Sequence, residues 1–197
     1  MVLATSPLDS TILAYLKNDG LLREGHFAYQ SGRHSAALLD RDRLLADPQA
    51  ASRMGYGLAK AFFTSKIDTV AAPSIWGGGL AQWVAYFLEP RAKVVYATPD
   101  EGGGRHISPN LHSLIADKRI LLVDNLMLSG ETMQQFDAEI VALGGEVLGI
   151  GCLWAGANDN VNSHEVFGLL NDRYPALLPA DCPLCKHSHE RLETVHY

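Results

Sequence analysis

Residues 120–132, ILLVDNLMLSGET, constrain this chain more than any other stretch. Four apolar residues run into Asp124, and a Ser-Gly pair follows five residues later. That order predicts a buried strand, a loop and the opening of a helix. The same unit recurs along the chain. DTVAAP, AKVVYAT and EVLGIGCLWAG are further short apolar runs, and amphipathic or glycine-bounded helical segments separate them. Strands alternating with helices imply an α/β fold, a parallel sheet flanked by helices.

The N-terminal third is organised differently. SPLDSTILAYLKNDG predicts a helix, with Ser6 as cap, Pro7 at the first position and Gly20 beyond its end. HFAYQSGRHSAALLD, residues 26–40, predicts an irregular hairpin turning at Ser31-Gly32. Asp47 and Pro48 open a second helix. Residues 99–113, PDEGGGRHISPNLHS, are dominated by glycine and proline and are expected to be a flexible loop. The last forty residues are loop-rich. With 197 residues and no linker or repeat, a single domain is expected: a small hood over about 1–45, a core over about 46–157 and a tail over about 158–197.

Bulk properties narrow the function. A net charge of −6 argues against nucleic-acid and membrane-surface partners, which require concentrated Lys and Arg. An anionic small ligand remains open, because backbone amides bind phosphate without lysine. No apolar run reaches the roughly 20 residues that span a bilayer. The N-terminus lacks a signal-peptide pattern, and three unevenly spaced cysteines suit a reducing compartment, so a cytoplasmic protein is expected.

Ligands of open α/β sheets bind beyond the carboxyl ends of the strands, which selects two loops. In the first, the positive end of a helix and its free N–H groups face the loop after Asp124. Ser129, Gly130, Glu131 and Thr132 then form a phosphate cradle, or Ser129 is simply an N-cap. In the second, Ser74, Ile75, Trp76, Gly77 and Gly78 lie at a strand-to-helix turn. Exposed amides there suit a diphosphate, whereas tight helix–sheet packing also demands glycine.

These motifs carry a resemblance. ILLVDNLMLSGET resembles the phosphoribosyl-diphosphate (PRPP) loop of the type I phosphoribosyltransferases. FAYQSGRHSAALLDRDRLLADP is similar to the N-terminal stretch of the orotate phosphoribosyltransferases, and APSIWGGGLAQWVAYFL is similar to their glycine-rich diphosphate turn. The likeness runs in order over residues from about 8 to about 155. It implies a type I phosphoribosyltransferase-like sheet with a hood, a homodimer, and Mg²⁺ bound together with PRPP or a nucleotide ligand. The implied reaction is transfer of phosphoribosyl to a nitrogenous base in nucleotide metabolism. On this reading Asp124, Asn125, Arg105 and His106 are the candidate catalytic residues, and the two loops hold PRPP.

Departures from the pattern shape the rest. The loop that carries a lysine in the family here reads ATPDEGGGRH, leaving Arg105 and His106 as its cations beside Asp100 and Glu101. Asn125 replaces a second acid, and Leu128 replaces a hydroxyl. Gln30, Leu38, Leu39 and Trp154 are expected at the base pocket, and CLWAGAN lacks the arginine that would meet the carboxylate of orotate. The acceptor is therefore expected to be a base other than orotate. The alternative is a catalytically impaired protein that binds a nucleotide or sugar phosphate for regulation.

One motif lies outside this scheme. Cys182 and Cys185 have metal-ligand spacing, and His187, His189 or His196 would complete a structural zinc site. A reduced thiol pair is the other reading; Pro183 and the missing strand context disfavour a redox motif. Cys152 is expected in the core, and His34 and His112 at the surface.

Overall fold

The computed structural model describes residues 7–156, 160–170, 174–187 and 191–196. Ser6 and His189 fall outside them. Helix α1 (Pro7–Asn18) leads into strands β1 (Leu22–Ala28) and β2 (His34–Leu39), an antiparallel hairpin with a bulge between Glu24 and Phe27. Two helices follow. The first, α2 (Arg41–Ala46), is capped by the Asp40 side chain, which accepts from Arg43 N at 3.0 Å. The second, α3 (Pro48–Ala61), starts as expected, with Asp47 accepting from Gln49 N at 2.9 Å.

The core then alternates β3 (Thr69–Ala72), α4 (Ile75–Phe87), β4 (Lys93–Tyr96), β7 (Arg119–Met127), α5 (Glu131–Ala142) and β8 (Glu146–Ala155). Two short strands, β9 (Asn160–Val161) and β10 (His164–Gly168), complete a six-stranded sheet in the order β4-β3-β7-β8-β10-β9. Every pairing is parallel except β9 with β10. The sheet thus runs on to Gly168, beyond the expected core boundary at about 157. Helices cover both faces, and each face has its own buried apolar cluster. Leu121 and Val123 of β7 join one; Ile120 and Leu122 join the other. Alternate side chains of a strand point to opposite faces, so an uninterrupted apolar run is what a doubly covered strand needs.

Residues 99–113 are ordered differently from the expected flexible loop. Strands β5 (Thr98–Pro99) and β6 (Arg105–His106) form a small hairpin, and a 3₁₀ turn spans Pro109–Leu114. Asp100 closes the hairpin by accepting from Gly102 N at 2.9 Å and Gly104 N at 2.8 Å.

The tail returns to the hood. Leu177 exchanges two backbone hydrogen bonds with His34, at 2.7 and 2.8 Å. After α6 (Pro183–His187), β11 (Leu192–Thr194) pairs in parallel with β1, giving a hood sheet β11-β1-β2. Hood and tail, distant in sequence, form one structure. Among the described residues no helix is long and apolar enough to cross a membrane.

Candidate functional site

Strand β7 lies in the middle of the sheet between β3 and β8, so its carboxyl end opens where the first and last halves of the chain meet. A cavity of about 160 Å³ sits there. Asp124, Ser129, Gly130 and Thr132 contribute its polar wall, Gln30 and Ser31 reach in from the β1–β2 turn, and Arg41 comes from the start of α2. Leu126, Met127, Leu128 and Met133 supply apolar surface. Ligand sites for drug-sized molecules span about 300–1,000 Å³, so this space suits a sugar phosphate whose remaining parts extend outward.

The loop geometry follows from one residue. Gly130 has φ +83°, a left-handed conformation that side chains other than glycine rarely adopt. Helix α5 starts immediately after it and no side chain caps its first turn, so Ser129 is not the N-cap. The first-turn amides therefore present a positive dipole end at the cavity. Glu131 and Thr132 lie in this exposed first turn; Thr132 lines the cavity, whereas Glu131 does not.

Asp124 sits inside the carboxyl half of β7, not at its tip. One carboxylate oxygen accepts from Asn125 N at 2.8 Å. Burial pushes its carboxyl up to about 6; the Asn125 amide and the positive fields of Arg41 and Arg105 partly oppose that rise. Asn125 departs from its expected role. It points to the opposite side of the strand, is fully buried and does not line the cavity. Among the described residues neither polar atom of its amide has a hydrogen-bond partner.

The cations are arranged in a way the sequence did not reveal. Arg105 lies against α5, donating to Thr132 O at 3.2 Å, 3.9 Å from Glu139 and over the Phe136 ring at 5.7 Å. His106 is exposed on the hairpin. Arg41, which no local motif marks as a ligand group, lines the cavity itself, with its guanidinium 5.6 Å from the Trp76 ring. Its one local signal was its place just after Asp40, a residue that turned out to be a helix cap.

Residues 74–78 form the first turn of a helix. Ser74 caps α4 by accepting from Gly77 N at 3.1 Å. A methyl group on Gly77 would come within 3.0 Å of Asp124 Oδ1, 3.1 Å of Ala72 Cβ and 3.2 Å of Val123 O. On Gly78 it would meet the Tyr96 ring at 3.0 Å. Both glycines therefore serve close helix–sheet packing, in place of the expected open diphosphate cradle. Ile75 and Trp76 stay exposed at the helix start, Trp76 over Arg41.

The expected base pocket does not assemble from its named residues. Gln30 lines the cavity. Leu38 and Leu39 instead pack in the apolar cluster beneath the hood. Trp154 is fully buried, donates to Tyr174 O at 3.0 Å and packs edge-on against Tyr29. Their apolar character reflected the core, not a ligand.

Away from this cavity, Cys182 and Cys185 meet two hood histidines, His26 and His34. His187 and His196, expected as their partners, are exposed and not part of this cluster. His34, expected at the surface, is buried. Cys152 is buried in β8 as expected, and burial pushes its thiol far up. A larger, open concavity of about 510 Å³ runs along α4 and β4, past Trp83, Tyr86, Arg91 and Lys93. It lies at the amino end of β4, away from the carboxyl ends of the strands.

No protein-family model matches the chain. An orotate phosphoribosyltransferase of Thermus thermophilus is 33% identical over 180 residues, covering 89% of this chain and 94% of that protein. One of Chlorobium phaeobacteroides is 26% identical over 176 residues, covering 89% of each. Among solved structures, a phosphoribosyltransferase of Corynebacterium diphtheriae superposes with TM-score 0.64 at 16% identity, covering 84% of this chain and 96% of that one. The orotate phosphoribosyltransferase of Mycobacterium tuberculosis H37Rv, in complex with PRPP, superposes with TM-score 0.58 at 13% identity, covering 85% and 90%. At these identities the two structures speak to the fold.

Proposed function

The chain belongs to the orotate phosphoribosyltransferase family, and from that premise we propose that it binds PRPP at the β7–α5 cavity and transfers phosphoribosyl to a nitrogenous base other than orotate. The observation that carries this reading is the cavity itself, where a carboxylate, the hydroxyls of Ser31, Ser129 and Thr132, an uncapped helix start and an arginine converge.

Each group has a role. The α5 amides, Ser129 and Thr132 donate to the 5′-phosphate. Ionised Asp124 accepts from ribose hydroxyls. Arg41 offsets the diphosphate charge, and Arg105, which already binds the first turn of α5, adds to the positive field. In the transfer, the bond from ribose C1 to a diphosphate oxygen breaks and pyrophosphate leaves with the electron pair. The bond from C1 to the base nitrogen forms, and that nitrogen's proton passes to water. The donor set fits Mg²⁺ modestly: one carboxylate, Asp124, would hold it together with ligand phosphates, the usual manner of Mg²⁺ in phosphate sites. When bound, the ion neutralises diphosphate charge.

Exclusion of orotate is supported by charge. Residues 120–172 contain no Lys or Arg, so strand β8 and the segment after it supply no cation of their own to a base carboxylate. The test is pyrophosphate release from PRPP and Mg²⁺ with a panel of bases. Turnover with orotate as the best acceptor would overturn the acceptor assignment; release with no base would overturn catalysis.

The second reading, binding without turnover, is favoured by two features. No lysine occurs between Lys93 and Lys118, and Asn125 is turned into the core. It predicts PRPP or nucleotide affinity without donor consumption. Exposed Tyr56 on α3, Phe63 just beyond its end and Tyr86 on α4 support a homodimer. Light scattering of a Tyr86→Glu variant, monomeric where the parent is dimeric, tests it.

A further inference from the structure

The four donor atoms shared by the hood and the tail have the spacing of a metal's coordination shell. His26 Nε2 lies 3.2 Å from His34 Nδ1, and His34 Nδ1 lies 3.2 Å from Cys185 Sγ. Cys182 Sγ and Cys185 Sγ are each 3.5 Å from His26 Nε2. All four atoms fall within 4.8 Å of one another. A tetrahedral zinc ion with its usual bond lengths has edges of about 3.3 Å between two nitrogens, about 3.6 Å between nitrogen and sulfur and about 3.8 Å between two sulfurs. The observed separations match that figure, with the His34–Cys185 edge slightly short.

Chance packing accounts poorly for this arrangement. Two imidazoles and two thiols offer few strong donors among them, since a thiol donates weakly and a neutral imidazole donates from one nitrogen only. Yet all four atoms converge on one point, and His26, His34 and Cys182 are buried there. The elements that bring them together are independent: β1, β2, and the tail segment around α6. We propose that His26, His34, Cys182 and Cys185 form a structural zinc site that fastens the tail to the hood.

The chemistry of the set selects the ion. Two thiolates and two imidazoles without a carboxylate suit zinc over magnesium or calcium. Four protein ligands leave no open position, which marks a structural site, not a catalytic one. Binding releases two protons, one from each thiol, as the sulfurs become thiolates and the imidazoles stay neutral. The site also bears on the cavity. The turn between His26 and His34 carries Gln30 and Ser31, which line the cavity from the hood side.

The experiment uses full-length protein without a histidine tag. Elemental analysis of the purified chain is expected to give about one zinc per chain, and chelator-treated protein is expected to take up one Co²⁺ with a tetrahedral, thiolate-containing absorption spectrum. Cys185→Ser and His34→Asn are expected to weaken zinc binding by roughly tenfold or more, whereas His187→Ala retains it. Should the ligand variants fail to fold, the parent's cobalt spectrum and His187→Ala still decide. An octahedral cobalt spectrum, no metal in either form of the parent, loss of zinc in His187→Ala, or a Cys182–Cys185 disulfide in freshly purified protein overturns the assignment.

Discussion

Gly77 and Gly79 are two residues apart on α4, yet the structure gives an alanine at each opposite consequences. At Gly79 a methyl group meets nothing within 4 Å. Replacing glycine inside a helix there gains about 0.5–1 kcal/mol through lost unfolded-state freedom. At Gly77 the same gain is opposed by contacts of 3.0–3.2 Å to Asp124 Oδ1, Ala72 Cβ and Val123 O. One of these is backbone of the central strand, which yields least. Overpacking of this kind costs about 1–3 kcal/mol. Because the helix term is common to both, the difference between the variants isolates the packing term. For a chain of this size about 1 kcal/mol moves Tm by roughly 2–4 °C. Gly79→Ala is therefore expected to melt about 1–4 °C above the parent, and Gly77→Ala about 2–12 °C below Gly79→Ala. Scanning calorimetry at neutral pH measures both. Equal melting temperatures would refute the packing argument and return Gly77 to the role of an open phosphate cradle.

Asp124→Asn removes a carboxyl held at about 6, above its unfolded value. A raised acid stabilises the fold below the unfolded pKa, and that contribution is lost as pH rises through about 6; the Asn variant is therefore expected to gain stability relative to the parent above pH 6, by up to roughly 3 kcal/mol, while losing Mg²⁺-dependent PRPP binding. Paired melts across pH and calorimetric titration check the two halves. Asp68 behaves oppositely. The Arg119 side chain and amide hold its carboxyl down at about 2, so its contribution is present above the unfolded pKa and fades as pH falls from about 4 towards 2; Asp68→Asn is expected to flatten that acid limb in urea titrations. Arg41→Ala is expected to weaken PRPP binding by about tenfold or more, the worth of a charge-assisted hydrogen bond of about 1.5–3 kcal/mol, with Tm nearly unchanged.

Local chemistry made much of this molecule legible from its sequence. The apolar run 120–123 announced the central strand, and Asp47-Pro48 announced α3, because strand burial and helix capping act over a few residues. What failed was non-local. Gly77 and Gly78 look the same in sequence whether they face a ligand or a strand; only the position of Asp124 and Tyr96 decides. Leu38, Leu39 and Trp154 were apolar near a supposed base site, but apolar side chains default to the core. His34 had no companion at any useful spacing, because its partners lie across the hairpin at His26 and in the tail at Cys182 and Cys185. Arg41 was hidden by a short helix whose only cue was the Asp40 cap.

The pairing of β1 with β11 joins His26 to Leu192, nearly the two extremes of the chain. During synthesis at about 5–20 residues per second, the hairpin of β1 and β2 leaves the ribosome long before its third strand exists. A two-stranded hairpin is marginal by itself in water, so the hood must wait, one edge unpaired, while the six-stranded sheet assembles. Contacts between such remote segments are the slowest to form. Closing the hood wall of the cavity thus waits on β11, and loss of Leu192–Thr194 would leave that edge open.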